Sequence, residues 1–182
     1  EALECGGKRA LMISADTLGL GKKTVRKYTA AIEKATGLDA GSIFLSATHT
    51  HTGPATEHQT AFEADDALIE RYVAFLGERL ADAAKLALGD LRPARMGFIE
   101  EVAPARIAYI RRYKMKDGTT MTCPPINDPN IDHPIGTLDQ RVNLLRFDRE
   151  GADSVILVNY GLHADTINGE MISADWPGVM RR

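Results

Sequence analysis

The chain holds five histidines, and three of them, His49, His51 and His58, fall within ten residues of one another. Neutral imidazole is the commonest protein ligand for zinc, at about 2.0–2.1 Å, and a catalytic zinc ordinarily takes three protein ligands and keeps a further position for water. The sharpest local pattern is Ser46-Ala-Thr-His49-Thr-His51-Thr-Gly-Pro54. In an extended segment residues two apart face the same side, so His49 and His51 can reach one cleft. The competing reading is a pair of ordinary loop histidines hydrogen-bonded to neighbouring threonines. His163 shifts that balance, because Val155-Ile-Leu-Val-Asn-Tyr160 reads as a buried strand that delivers it in Gly161-Leu-His163-Ala-Asp165. Two strands ending in histidine at the same sheet edge would bring metal ligands together, and strand ends are where α/β folds gather ligand sites.

The elements that must position these residues follow from periodicity. Arg9 to Ala15 and Ser42 to Ala47 are short apolar runs suited to buried strands. Between them Gly21 to Thr36 reads as an amphipathic helix, with Val25, Tyr28, Ala31, Ile32 and Ala35 on one face, lysines mostly on the other, and Gly37 as its stop. This is a βαβ unit whose parallel pairing would put both strand ends on one edge, with Thr48 to Glu57 as a loop there. Asp65 to Leu88 is the longest helix candidate. Beyond Pro93 the texture changes to short strands at Ala94 to Val102, Arg106 to Tyr113, Val142 to Phe147 and Val155 to Tyr160, with Thr122 to Thr137 as a long proline-containing loop. The expected fold class is α/β, a mixed sheet with flanking helices and a β-rich second half, in one domain over residues 1–182.

Composition narrows the function classes. With 22 Lys plus Arg against 25 Asp plus Glu in 182 residues the net charge is −3, which points away from a nucleic-acid partner. No apolar run approaches the roughly 20 residues of a membrane span. Two cysteines, Cys5 and Cys123, far apart and in no CxxC pattern, make neither a disulfide framework nor a thiolate zinc site, though one remote disulfide stays open. Cys5-Gly6-Gly7-Lys8 reads as a hairpin turn near one end, and Asp175-Trp176-Pro177-Gly178 as a helix start near the other, with Asp175 as N-cap. Both ends therefore read as cut within supersecondary units of a larger protein, with no signal peptide in view, which leaves the compartment open.

Three segments, SATHTHTGPA (46–55), RIAYIRRYKMKDGT (106–119) and VNYGLHADTINGEMISADWPG (158–178), closely resemble the amino-terminal part of the neutral/alkaline, non-lysosomal ceramidase family and its bacterial relatives. Their order and spacing fit across almost the whole chain. The resemblance implies an α/β catalytic domain with one zinc that hydrolyses an N-acyl amide bond, as in ceramide or a related N-acyl lipid. It makes His49 and His163 zinc ligands, His51 an active-site histidine that contacts substrate or the attacking water, and Arg111 a group that polarises the amide carbonyl or stabilises its oxyanion. The Asn that precedes the family's arginine is replaced here by Ile110, which leaves open whether Arg111 or Arg112 faces the cleft. The family's other zinc ligands, a Glu and a Tyr, come later than Arg182. Zinc in such a site lowers the pKa of its bound water from 15.7 toward about 7 and polarises the acyl carbonyl, and His51 would carry the proton.

Smaller expectations concern polar residues near these segments. Asp16 and Asp175 can each orient a ligand histidine through its second ring nitrogen, against an Asx turn for Asp16 and a helix cap for Asp175. His58 and His133 read as solvated loop residues, and the lysine face of the first helix as plain surface. Two alternatives to the ceramidase-like reading are a zinc hydrolase of the same fold acting on another amide or ester, and a non-catalytic relative that binds zinc weakly or not at all.

Overall fold

The computed structural model describes residues 1–57, 65–103 and 107–181. Its fold is α/β, with three three-stranded sheets among the described residues, and it divides into two compact units, residues 1–92 with 163–182, and residues 93–162.

In the first unit, β1 (Ala2–Cys5) and β2 (Lys8–Ala15) form an antiparallel hairpin. Gly6 and Gly7 turn it with φ of 57° and 74°, values that cost a Cβ-bearing residue energy and glycine none. Helix α1 (Lys22–Thr36) then returns the chain so that β3 (Ile43–Ala47) pairs parallel to β2, from Leu11 opposite Ile43 to Ala15 opposite Ala47. Gly37 ends α1 in the left-handed conformation, its N–H capping the Glu33 carbonyl. Helix α2 (Asp66–Gly89) starts at Asp65, whose carboxylate accepts from the Ala67 and Leu68 amides. The strand–helix–strand reading is thus realised within a residue or two of its expected bounds.

Leu11, Ile13, Tyr28, Ile32, Leu80, Ala81 and Ala84 form the core of this unit. The burial of β2 is one-sided, however: Leu11, Ile13 and Ala15 are buried while Ser14 is exposed, so the apolar run expected to be buried throughout alternates instead. Gly77 of α2 lets the helices close, since a Cβ there would stand 3.0 Å from Cδ1 of the Tyr28 ring. Burial, with Tyr72 adding to it, pushes the Tyr28 phenol up to about 12, and it stays neutral inside the helix pair.

Among its described residues the second unit holds β-strands and no helix. Strands β4 (Ala94–Val102), β8 (Arg141–Arg149) and β9 (Val155–Tyr160) form one antiparallel sheet. Strands β5 (Arg112–Met115), β6 (Thr120–Thr122) and β7 (Ile131–Pro134) form another, ordered β6-β5-β7. Two expectations are corrected here. Of the strand placed at Arg106 to Tyr113, Arg106 lies outside the described residues and the rest becomes a strand only from Arg112, and the long loop at Thr122 to Thr137 contains β7. Alternation is too brief in these three- and four-residue strands to be read locally. Cys5 and Cys123 are free thiols, and no helix of the described residues is long and apolar enough to cross a membrane.

Candidate metal centre

The site grows from the carboxyl end of β3. Past Ala47 the backbone still follows β2, with the Thr48 amide on the Ala15 carbonyl at 3.0 Å and the His49 amide on the Thr17 carbonyl at 3.1 Å. The expected extended geometry does not continue past Ala47, since His49 takes φ 66° and His51 opens a turn; Thr50 is nonetheless fully buried, whereas His49 and His51 on either side are exposed. Thr50 and Thr52 both donate their hydroxyls to the Ser173 carbonyl, at 2.7 and 3.1 Å. The Ser173 amide donates to the Thr52 carbonyl, and the His51 amide to the Ala164 carbonyl at 3.3 Å. These bonds zip the His49–Thr52 loop to the segment that begins at His163, and so join two stretches distant in sequence.

The result is a triangle of imidazoles. Ring centroids of His49, His51 and His163 stand 4.8–5.0 Å apart pairwise, and each residue offers a ligand nitrogen within 4.8 Å of the others. Nε2 of His51 lies 3.1 Å from Nε2 of His163. Donors held about 2.1 Å from one tetrahedral ion stand about 3.4 Å from each other, so this pair, now at hydrogen-bond distance, would open by about 0.3 Å to share one. His49 directs Nδ1 to the Leu18 carbonyl at 2.6 Å, which makes that nitrogen the N–H donor and leaves Nε2 as the ligand. With His51 and His163 about one-third exposed at the side chain, the cluster opens to solvent on one side. The donor set, three imidazoles and no thiolate, suits zinc and leaves room for water or substrate.

His49 occupies the left-handed region at φ 66°, unusual for a residue with a Cβ and a conformation that costs of order 1 kcal/mol or more. The hydrogen bonds of the His49 amide to the Thr17 carbonyl and of its Nδ1 to the Leu18 carbonyl hold it there.

The other expected residues fall elsewhere. Arg111 belongs to the second unit, ahead of β5, where its carbonyl accepts from the Cys123 amide at 2.7 Å, and Arg112 is the first residue of β5. The role of Arg111 rests on the resemblance alone. The single-sheet-edge expectation is corrected: β3 and β9 belong to different sheets. Asp16 does not orient a histidine, because its carboxylate accepts from the Thr48 hydroxyl and from the Arg181 guanidinium at 2.7 and 2.8 Å. Neither does Asp175, and it is not the N-cap of helix α3 (Asp175–Met180), which is Ala174. Instead its buried carboxylate accepts from the amides of Thr166, Ile167 and Trp176 and from the Thr166 hydroxyl, all at 2.6–2.9 Å. Burial alone would raise the Asp175 carboxyl, but these donors outweigh it and hold it below the usual range. Asp175 thereby anchors the loop that carries His163. His133, expected in a loop, lies exposed on β7 beside Asp132, and His58 lies outside the described residues.

The residue that sequence reasoning missed is Asp165. Its Oδ1 lies 3.6 Å from Nδ1 of His51 and its Oδ2 lies 3.8 Å from Nδ1 of His163. The available signal was His163-Ala-Asp165, the same spacing of two that pairs His49 with His51. The Leu18 carbonyl had no signal, because a main-chain acceptor leaves none in the sequence. No family model, no curated protein and no solved structure matches this chain.

Proposed function

We propose that this chain carries the histidine part of a zinc centre that hydrolyses N-acyl amides, with ceramides or related N-acyl lipids as the substrate class to which the resemblance points. The observation that supports it is the convergence of His49, His51 and His163 from segments 112 residues apart, with two Nε2 atoms at 3.1 Å. A bound zinc would supply Lewis acidity, polarising the acyl carbonyl and acidifying its water.

Within that reading, His49 and His163 hold the ion, each through Nε2. The resemblance gives His51 to the reacting groups, but its 3.1 Å approach to His163 favours it as a third ligand. Arg111 keeps the role implied by the resemblance, a cation that stabilises the developing oxyanion. In the overall reaction water adds its oxygen to the acyl carbon, the C–N bond breaks and the amine nitrogen gains a proton.

The test is elemental analysis of the purified protein for zinc, joined to a mass-spectrometric assay against ceramide and short N-acyl amines. Stoichiometric zinc with release of fatty acid is expected. Zinc without hydrolysis of either substrate would turn the reading into a non-catalytic metal site. Hydrolysis of short amides but not ceramide would keep the chemistry and discard the lipid.

A further inference from the structure

We infer that Asp165 is a shared positioning residue, one carboxylate that orients both His51 and His163 and so makes them an equivalent pair of ligands in a three-histidine centre. The inference rests on reading the cluster as a metal centre. Each carboxylate oxygen faces the Nδ1 of a different histidine, Oδ1 at 3.6 Å from His51 and Oδ2 at 3.8 Å from His163, a few tenths of an ångström beyond hydrogen-bond length. An ionised carboxylate only accepts, so each Nδ1 is favoured as the N–H donor. Both Nε2 atoms can present lone pairs at once only when a positive charge lies between them; without an ion one ring takes the other tautomer and donates across the 3.1 Å contact.

A divalent cation satisfies that requirement, and the carboxylate behind the two rings offsets part of its charge. His49 obtains the same preorganisation from a different source, the Leu18 carbonyl at 2.6 Å. His49 is thus held from behind through Nδ1, and the other two imidazoles turn Nδ1 toward an acceptor that a small shift would engage, the arrangement by which outer partners set ring orientation and ligand basicity in metal sites. Asp165 is about one-third exposed at its side chain and makes no part of the core, so removing it tests orientation and leaves the fold standing.

The experiment measures zinc affinity by competition with a chelator, and the imidazole N–H signals of the zinc-loaded protein by nuclear magnetic resonance. Asp165→Ala is expected to weaken zinc about 10- to 100-fold, the usual cost of losing such a partner. It should also expose the His51 and His163 Nδ1–H signals to rapid solvent exchange while sparing that of His49. Asp165→Asn, with one acceptor oxygen, should protect one of the two. His51→Ala should lower affinity as far as His163→Ala does. Affinity of Asp165→Ala and Asp165→Asn within twofold of the parent, with both signals protected, overturns the inference, as does zinc loss at His163→Ala without loss at His51→Ala. A parent protein that takes up no zinc overturns the metal reading itself, which is a separate outcome.

Discussion

The Nε2 atoms of His51 and His163 meet at 3.1 Å while the Nδ1 atoms of both turn toward one Asp165 carboxylate. In the proposed metal centre, two rings that face a common acceptor from behind would present their lone pairs to a common ion in front. Metal removal should therefore be visible as lost stability. At free zinc about a hundredfold above its Kd, binding to the folded state adds about 2.7 kcal/mol. Thermal unfolding should shift upward with zinc and return with a chelator. His49→Ala and His163→Ala should abolish the shift, whereas His133→Ala, on a strand of the other unit, should keep it.

His49 at φ 66° makes a second expectation possible. A Cβ in the left-handed region costs about 1–2 kcal/mol, a cost that glycine escapes. Without metal, His49→Gly should be more stable than His49→Ala by about 1 kcal/mol, although both lose the ligand. Chemical denaturation of the two variants measures the difference; equal midpoints would show that the loop relaxes around the side chain.

Gly53 sits where the histidine loop meets the end of β2. A Cβ there would stand 2.7 Å from the Asp16 carbonyl oxygen, 2.9 Å from Thr50 Cγ2 and 3.3 Å from Thr17 Cα. Two of these neighbours are backbone, and Thr50 is fully buried, so nothing yields cheaply. Gly53→Ala should cost about 1–3 kcal/mol by overpacking. Because the shifted loop carries His49 and His51, zinc affinity should fall as well, which a competition titration reads independently of the unfolding midpoint.

Asp175 brings pH into the stability of the His163 loop. Its folded carboxyl is held below the ordinary range, so its contribution is fully present above the unfolded value of about 3.9 and is lost as pH falls through the lower folded value. Asp175→Asn leaves buried amides short of an acceptor and should cost about 1–3 kcal/mol at neutral pH. The gap between parent and variant, followed by urea unfolding, should narrow as the medium is acidified below about pH 4. A constant gap would place the effect in packing rather than charge.

Much of the molecule is legible locally. Gly21, Gly37 and Asp65 bracket helices α1 and α2 because turn and cap chemistry act over three or four residues. The spacing of two in His49-Thr50-His51 suggests an extended segment, but the chain leaves the strand at Ala47 and His49 takes φ 66°, so local periodicity does not account for how the two histidines come together. The same local logic loses β7 and misplaces the start of β5, where strands of four residues offer too few repeats to be seen.

What the tertiary structure alone decides is which distant groups meet. Local pattern places His163 just after β9 but cannot tell that β9 and β3 belong to different sheets, or that the histidines converge through loops zipped by Thr50, Thr52 and Ser173. Nor can it aim Asp165 at two imidazoles at once, or bring the Leu18 carbonyl to His49. Residue types and their short-range periodicity are written in the chain. Closing a loop between residues 112 apart depends on the balance of chain entropy against all the packing and hydrogen bonding that the whole fold supplies, and no single segment records that balance.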